Sequence, residues 1–168
     1  LLAYLFWHRP RPDVEAGEYE EAQRRFHERL EVPSACFRLE ELPFQPGSMP
    51  GAEAAYEDWY LIENWEQLGE LNAAAVDAKR RGDHDRAASL AGNGWGAVYA
   101  HMRGDLVIPA AVRWQSKPRG EPVDALLDGV PAETPVWQRQ LVLGPAPELC
   151  IGGGAPPRGS VVPFAPHT

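Results

Sequence analysis

The chain has 168 residues, 44% of them apolar, six tryptophans, and a formal net charge of −8 with a pI near 5.1. That length fits one compact domain, or two small ones sharing a core, and the apolar content argues against disorder. The acidic balance disfavours nucleic acid and anionic membranes as partners, since both need clustered Lys and Arg, and no apolar run approaches the roughly 20 residues of a membrane span.

Residues 2–8 read as a first strand, closed by Pro10, Pro12 and Asp13. The start, Leu1 to Trp7, is apolar but lacks a basic n-region and a small-residue cleavage site, so it reads as a buried strand and not a signal peptide. A helix over 18–30 follows, with Tyr19, Ala22, Phe26 and Leu30 on one face of a 3.6-residue period and Pro33 as its stop. Residues 35–42 form strand two. A long loop with Pro46, Gly47, Ser48, Pro50 and Gly51 leads to strand three over 56–63; loops of that length often carry function. Asn64 is a good N-cap, with Gln67 completing a capping box for a helix over 65–76. The one basic cluster, Lys79-Arg80-Arg81, sits among Asp77, Asp83 and Asp85 and reads as a solvated helix end. A third helix over 83–91 starts at Asp83 and stops at Gly92 as a C′ residue, so that Gly92-Asn93-Gly94 is a tight turn before strand four, 95–102.

Gly104-Asp105 is a turn and the seam between two halves. Strand five lies within 106–115, a short helix within 122–128, and strands six and seven over 136–143 and 148–151. The tail from Gly152 is rich in Gly and Pro and wraps the surface or frays. The chain thus divides into a first unit, 1–104, a truncated second unit, 105–151, and a tail, 152–168. The first reads βαββαβ, the order of a split βαβ unit, and the second βαββ. The fold class is α+β: two such units in tandem, with antiparallel sheets facing each other and helices outside.

Strand alternation sorts residues onto two faces. One set, including Ala3, Leu5, Trp7, Phe37, Trp59, Leu61 and Trp114, suits packing under the helices. The other holds Tyr4, Phe6, His8, Arg38, Glu40, Asp58, Tyr60, Trp95, Tyr99, His101, Arg113, Gln115 and Glu148. That second set has too many aromatics for an exposed face and too many charges for a plain core. A partly polar cavity between two sheets suits both facts, and so does a closed salt-bridge network such as Arg38 with Glu40 or Asp58.

At this point the chain resembles the ferredoxin-like α+β barrel proteins, often called the dimeric α/β barrel superfamily. The resemblance rests on element order and on the echo of Trp7-His8-Arg9-Pro10 in Trp114-Gln115-Ser116-Lys117-Pro118, and it spans residues 2 to about 151. It implies two facing sheets supplied by one chain, as a monomer or a weak homodimer. Members include small-molecule enzymes and proteins without known activity, so the resemblance fixes no catalytic residue.

Two readings of function stand side by side. One is binding or transformation of a small organic molecule between the sheets. His8, His101 and Asp58 are then the proton-transfer candidates, Tyr4, Tyr60 and Tyr99 orient the ligand, and Arg38, Glu40, Trp95, Arg113, Gln115 and Glu148 line the site. The other is a structural or interaction module with a closed polar network. His84 reads as a surface residue at a helix start, and neither His27, in a charged helix, nor His167, in the tail, invites a role. No cofactor is expected. Cys36 and Cys150 lie in separate strand patterns without histidines at ligand spacing, so they read as free, buried thiols and not as zinc ligands or a disulfide framework. No glycine-rich turn leads from a strand into a helix, which leaves nucleotide cofactors without a cradle. Free thiols imply a reduced, cytoplasmic setting.

Overall fold

Strand β1 (Leu2–Pro10) forms where the apolar run predicts it and continues two residues beyond. The structure, a computed structural model, describes residues 1–44, 54–75, 77, 81–140, 145–154 and 156–164. After β1 come α1 (Ala16–Glu28), β2 (Ser34–Leu39), β3 (Ala55–Ile62), α2 (Trp65–Ala75), α3 (Arg81–Leu90) and β4 (Ala91–Arg103). The second unit follows as β5 (Val112–Gln115), α4 (Val123–Leu126), β6 (Val136–Arg139) and β7 (Leu149–Gly152), and the tail adds β8 (Gly159–Val162). The expected cap forms in its first half: Asn64 Oδ1 accepts from the Gln67 N–H at 3.0 Å, while Gln67 Oε1 accepts from the N–H of Glu63, one residue before the cap, at 2.6 Å. The Pro46–Gly51 loop, Lys79, Arg80, residues 141–144 and His167 lie outside the described residues.

The architecture is α+β, with all eight strands in a single antiparallel sheet ordered β5-β7-β6-β4-β1-β3-β2-β8. Strands β1–β4 and β5–β7 therefore join edge to edge, through β4 and β6, in one sheet and not as two separate facing sheets. In both βαββ runs the last strand lies between the first two: β1-β3-β2, and β5-β7-β6. The tail does not fray. Its residues 159–162 pair with β2 and extend the sheet.

The sheet curls strongly. Four inter-strand steps separate Trp7 on β1 from Trp114 on β5, about 19 Å along a flat sheet at ~4.8 Å per strand, yet the ring centroids are 5.4 Å apart. Trp59 and Trp137, three steps apart, meet at 5.7 Å. The outer edges approach each other as well: the Arg158 N–H, just before β8, donates to the Ala110 carbonyl, just before β5, at 3.0 Å. Inside the curl, Ala3, Leu5, Trp7, Phe37, Trp59, Tyr99, Trp137 and Cys150 form one core without any helix residue. Fully buried indoles, each worth roughly 150–250 Å² of buried surface, fill that space.

The helices cover the opposite, outer face. Tyr19 and Ala22 of α1 pack with Ala87 and Leu90 of α3 on Cys36 and Tyr56, and Leu68 and Leu71 of α2 pack near Tyr60 and Val98. Helix α4 covers Val136, Leu149 and Ile151 in the same way. The set containing Trp7 and Trp59 thus faces the interior of the curl, and the set containing Tyr4, His8, Asp58 and Tyr60 faces the helices, the reverse of the expected sides. Two strands also take the opposite phase. Phe6 pairs with Gly96 and Tyr4 with Val98, so Trp95, Tyr99 and His101 share the interior side with Trp7. Trp114 pairs with Cys150, which places Leu149 and Ile151 on the outer side with Gln115 and Arg113.

Gly92 and Gly94 are strand residues of β4 and make no C-cap turn. The reason is cross-strand: a Cβ on Gly94 would collide with the Phe6 ring, and one on Gly96 would sit 2.9 Å from the Tyr4 ring. The glycines let the two aromatic rings lie flat on the strand. Among the described residues no helix is long and apolar enough to cross a membrane.

Candidate functional site

Between the outer face of β1, β3 and β4 and helices α1–α3 lies a pocket of about 890 Å³. Its walls are mainly apolar: Phe6, Phe26, Leu30, Leu68 and Leu71, with Trp65, 48% exposed, on the rim. Polar side chains gather on the strand side, where Tyr4, His8, Asp58 and Tyr60 join Tyr19 and Gln23 of α1. A large, mainly apolar hollow with a few convergent polar groups is the usual form of a small-molecule site.

The centre of the polar group is Asp58, 2% exposed. His8 Nε2 stands 3.0 Å from Asp58 Oδ2, and His27 Nε2 stands 3.3 Å from Oδ1. These are ion-pair distances, but His8 Nε2 and Asp58 Oδ1 lack the alignment of a hydrogen bond. Tyr60 donates its hydroxyl to Oδ2 at 2.9 Å. On their far sides the two imidazoles are held as well, His8 Nδ1 by the Tyr19 hydroxyl at 2.5 Å and His27 Nδ1 by Ser34 Oγ at 2.9 Å. Burial works against ionisation of Asp58, yet the adjacent His8 and His27 imidazoles hold its carboxyl well below the usual carboxylate range. The carboxylate acts on its neighbours in turn. Burial first and the Asp58 charge second push the Tyr60, Tyr19 and Tyr4 phenols and the Cys36 thiol upward. Tyr19 and Tyr60 therefore remain proton donors.

This arrangement can hold and pass a proton. His8 bridges the two ends, its Nδ1 in hydrogen-bond contact with the Tyr19 hydroxyl and its Nε2 3.0 Å from the Asp58 carboxylate, which sets Tyr19, His8 and Asp58 in a row at the pocket floor. Two residues of that floor and a third buried behind it carry ligand types suited to a metal ion. His8, Cys36 and Asp58 each place one ligand atom within 4.8 Å of the other two, all three residues buried. The sequence expectation of no such convergence fails because β-pairing, not sequence spacing, brings them together: Cys36 is the cross-strand partner of Asp58.

Of the twelve residues singled out from the sequence, the structure brings Tyr4, His8, Asp58 and Tyr60 to this pocket. Arg38 and Glu40 line a separate hollow of about 340 Å³ with Ala54 and Gly159, and Arg38 reaches Glu20 at 3.5 Å. Trp95 and Tyr99 belong to the curl interior, Trp95 edge-on to Phe44 and Tyr99 donating to the Pro147 carbonyl at 2.6 Å. His101 lies edge-on to Trp137 at 5.0 Å. Arg113 donates to Gln115 at 3.1 Å on the edge strand, and Glu148 pairs with Arg139 at 3.4 Å. Sequence reasoning missed His27, Tyr19 and Cys36. The signal was present: Tyr19, Gln23 and His27 fall at i, i+4 and i+8, one stripe of α1, and all three are buried.

The interior of the curl, where a ligand was expected, holds a second polar network. Glu57, fully buried, accepts from the Trp7 indole at 2.7 Å and the Trp59 indole at 2.5 Å, and Arg158 reaches it from the chain before β8. No protein-family model, curated protein or solved structure matches this chain.

Proposed function

We propose that the protein binds a small, largely apolar organic molecule in the pocket between the sheet and α1–α3, with a polar group of that ligand directed at the floor around Asp58. The observation that carries the reading is a buried carboxylate, Asp58, with His8 and Tyr60 beside it and Tyr19 behind His8, all four lining an 890 Å³, mainly apolar pocket. A buried charge is expensive unless paired, and here two of its partners, His8 and Tyr60, line the same hollow. Catalysis at this site would take the form of proton transfer. The ligand's proton would enter the Tyr19–His8 pair, and Asp58 would stabilise the imidazolium. His8 and Asp58 are the proton-transfer residues of this reading; Tyr4 and Tyr60 orient the ligand.

A second reading, a module without chemistry, finds support in the Glu57–Arg158 network, which is closed by two indoles and sits where the sheet edges meet. The repeated placement of the third strand between the first two supports the tandem split-βαβ reading and the likeness to ferredoxin-like α+β barrels.

The test is a thermal-shift screen of small aromatic and aliphatic molecules. A ligand at ~100 times its dissociation constant adds about 2.7 kcal/mol, which is roughly 5–11 °C for a chain of this size. The shift should vanish in Ala88→Trp, which fills the pocket from an exposed wall position. No hit, or hits indifferent to that substitution, would count against the pocket.

A further inference from the structure

We infer that His8 and Asp58 of the pocket floor, with Cys36 buried behind them, form a binding site for one zinc ion. The three ligand atoms lie within 4.8 Å of one another, and His8, Cys36 and Asp58 are 1%, 0% and 2% exposed. A tetrahedral zinc with bonds of about 2.0–2.3 Å separates its ligand atoms by roughly 3.3–3.8 Å, so small inward movements suffice. His8 Nε2 and Asp58 Oδ1 are held by ion-pair contacts alone, at 3.0 Å and 3.3 Å, without an aligned hydrogen bond, so a metal ion would replace no hydrogen bond at either atom.

The scaffold is rigid. The residues come from three neighbouring strands, β1, β3 and β2, with Cys36 directly opposite Asp58 and His8 one diagonal step away. The outer partners are those that metal ligands need. Tyr19 fixes His8 through Nδ1, and Tyr60 and His27 hold the Asp58 carboxylate. Three protein ligands leave a fourth position for water or a ligand from the pocket, the pattern of a catalytic site and not of a closed structural one.

The choice of metal follows from the donors. Calcium and magnesium take oxygen ligands; a thiolate, an imidazole and a carboxylate together suit zinc. Charge balances as well, since a dication offsets one carboxylate and one thiolate beside a neutral imidazole. On binding, the Cys36 S–H bond is replaced by a sulfur–zinc bond, and the proton leaves to solvent. Binding should therefore strengthen as pH rises.

The test is titration of metal-stripped full-length protein with Co²⁺, followed by Zn²⁺, with absorption recorded throughout. One Co²⁺ per chain should bind, with a thiolate-to-cobalt charge-transfer band, and one equivalent of Zn²⁺ should remove it. Cys36→Ser should lose the band, Cys150→Ser should keep it, and Tyr19→Phe should keep it with affinity weakened about 10–100-fold. Circular dichroism of the metal-free variants checks that they fold. In the unsubstituted protein, Zn²⁺ should slow alkylation of Cys36 and leave Cys150 unaffected. No saturable binding, binding without the band, a band that survives Cys36→Ser, or equal protection of both cysteines would each overturn the site. The titration contains no organic ligand, so its failure would leave the pocket reading intact, and an empty ligand screen would leave the metal site intact.

Discussion

Replacing Arg158 by Ala should be among the most damaging single changes in the chain, although this residue precedes a four-residue edge strand. Its guanidinium lies 3.8 Å from the centroid of the Phe37 ring, donates through Nε to the Ala110 carbonyl at 3.2 Å and through Nη2 to the Pro109 carbonyl, and pairs with Glu57. Glu57 is 0% exposed, and without Arg158 its carboxylate keeps, among the described residues, the two indole N–H groups. Breaking a buried ion pair from one side costs about 3–5 kcal/mol, because the remaining charge stays buried. The cation–π contact with Phe37, worth ~0.5–2 kcal/mol by itself, overlaps with that figure and is not added to it. For a chain of this size the melting temperature should fall by about 6–20 °C. The double variant Glu57→Gln, Arg158→Met removes both charges, leaves the amide oxygen to accept from an indole, and fills the space over Phe37. It should recover at least 1 kcal/mol of the loss, following the rule that removing both partners is milder than removing one. Urea denaturation at pH 7, followed by tryptophan fluorescence, measures each variant. A loss under about 1 kcal/mol for Arg158→Ala, or a double variant no more stable than the single one, would refute the view that this pair fastens the closing edge of the curl.

The other expectations concern the pocket. Asp58→Asn should flatten the acid limb of stability. The folded carboxyl lies well below its unfolded value of ~3.9, so it contributes stability above that value and loses it as pH falls further; denaturant melts at neutral pH and at about pH 2–3 should show the gap between Asn and Asp proteins shrinking on acidification, and a constant gap contradicts the assignment. Trp65→Ala, at a 48% exposed rim position, should change stability by no more than ~0.5 kcal/mol while weakening any ligand found in the thermal-shift screen. Gly94→Ala should cost about 1–3 kcal/mol through overpacking against Phe6, with Phe6→Leu in the same chain restoring most of it; a neutral Gly94→Ala melt would show that the ring does not rest on the strand.

The elements were legible because their signals are local. Helix α2 starts where the Asn64–Gln67 capping box predicts, and the Asn64 cap bond forms there. Strands β1, β2, β3 and β7 lie within two or three residues of the apolar alternation that announces them. The sides of the sheet were not legible, and the reason is physical. Period-2 alternation distinguishes faces by contrast with solvent, but β3 is buried at every position from Ala55 to Ile62. With helices on one face and the curl interior on the other, both faces carry aromatics and both carry a charge, Glu57 inward and Asp58 outward. Alternation then groups residues correctly within a strand without saying which group meets the helices.

The phase between strands was lost for a related reason. Nothing local in Trp95–Met102 shows whether Trp95 or Gly96 points with Phe6, and the expected turn at Gly92–Gly94 hid the strand's true beginning. The glycines themselves hold the answer. In a cross-strand pair, a glycine opposite an aromatic gives the ring a flat surface to lie on, and Gly94 and Gly96 alternate with the same period as Tyr4 and Phe6. Matching the two patterns places Gly94, Gly96, Tyr4 and Phe6 on one face, as the register confirms. That match moves Tyr99 and His101 away from His8 and Asp58. It leaves the polar face of β1 and β3 without a partner from β4, so the partner must come from a helix. The α1 stripe of Tyr19, Gln23 and His27 supplies it. The site is thus half strand and half helix, and two patterns of different period must be laid over each other before Asp58 is seen between its two histidines.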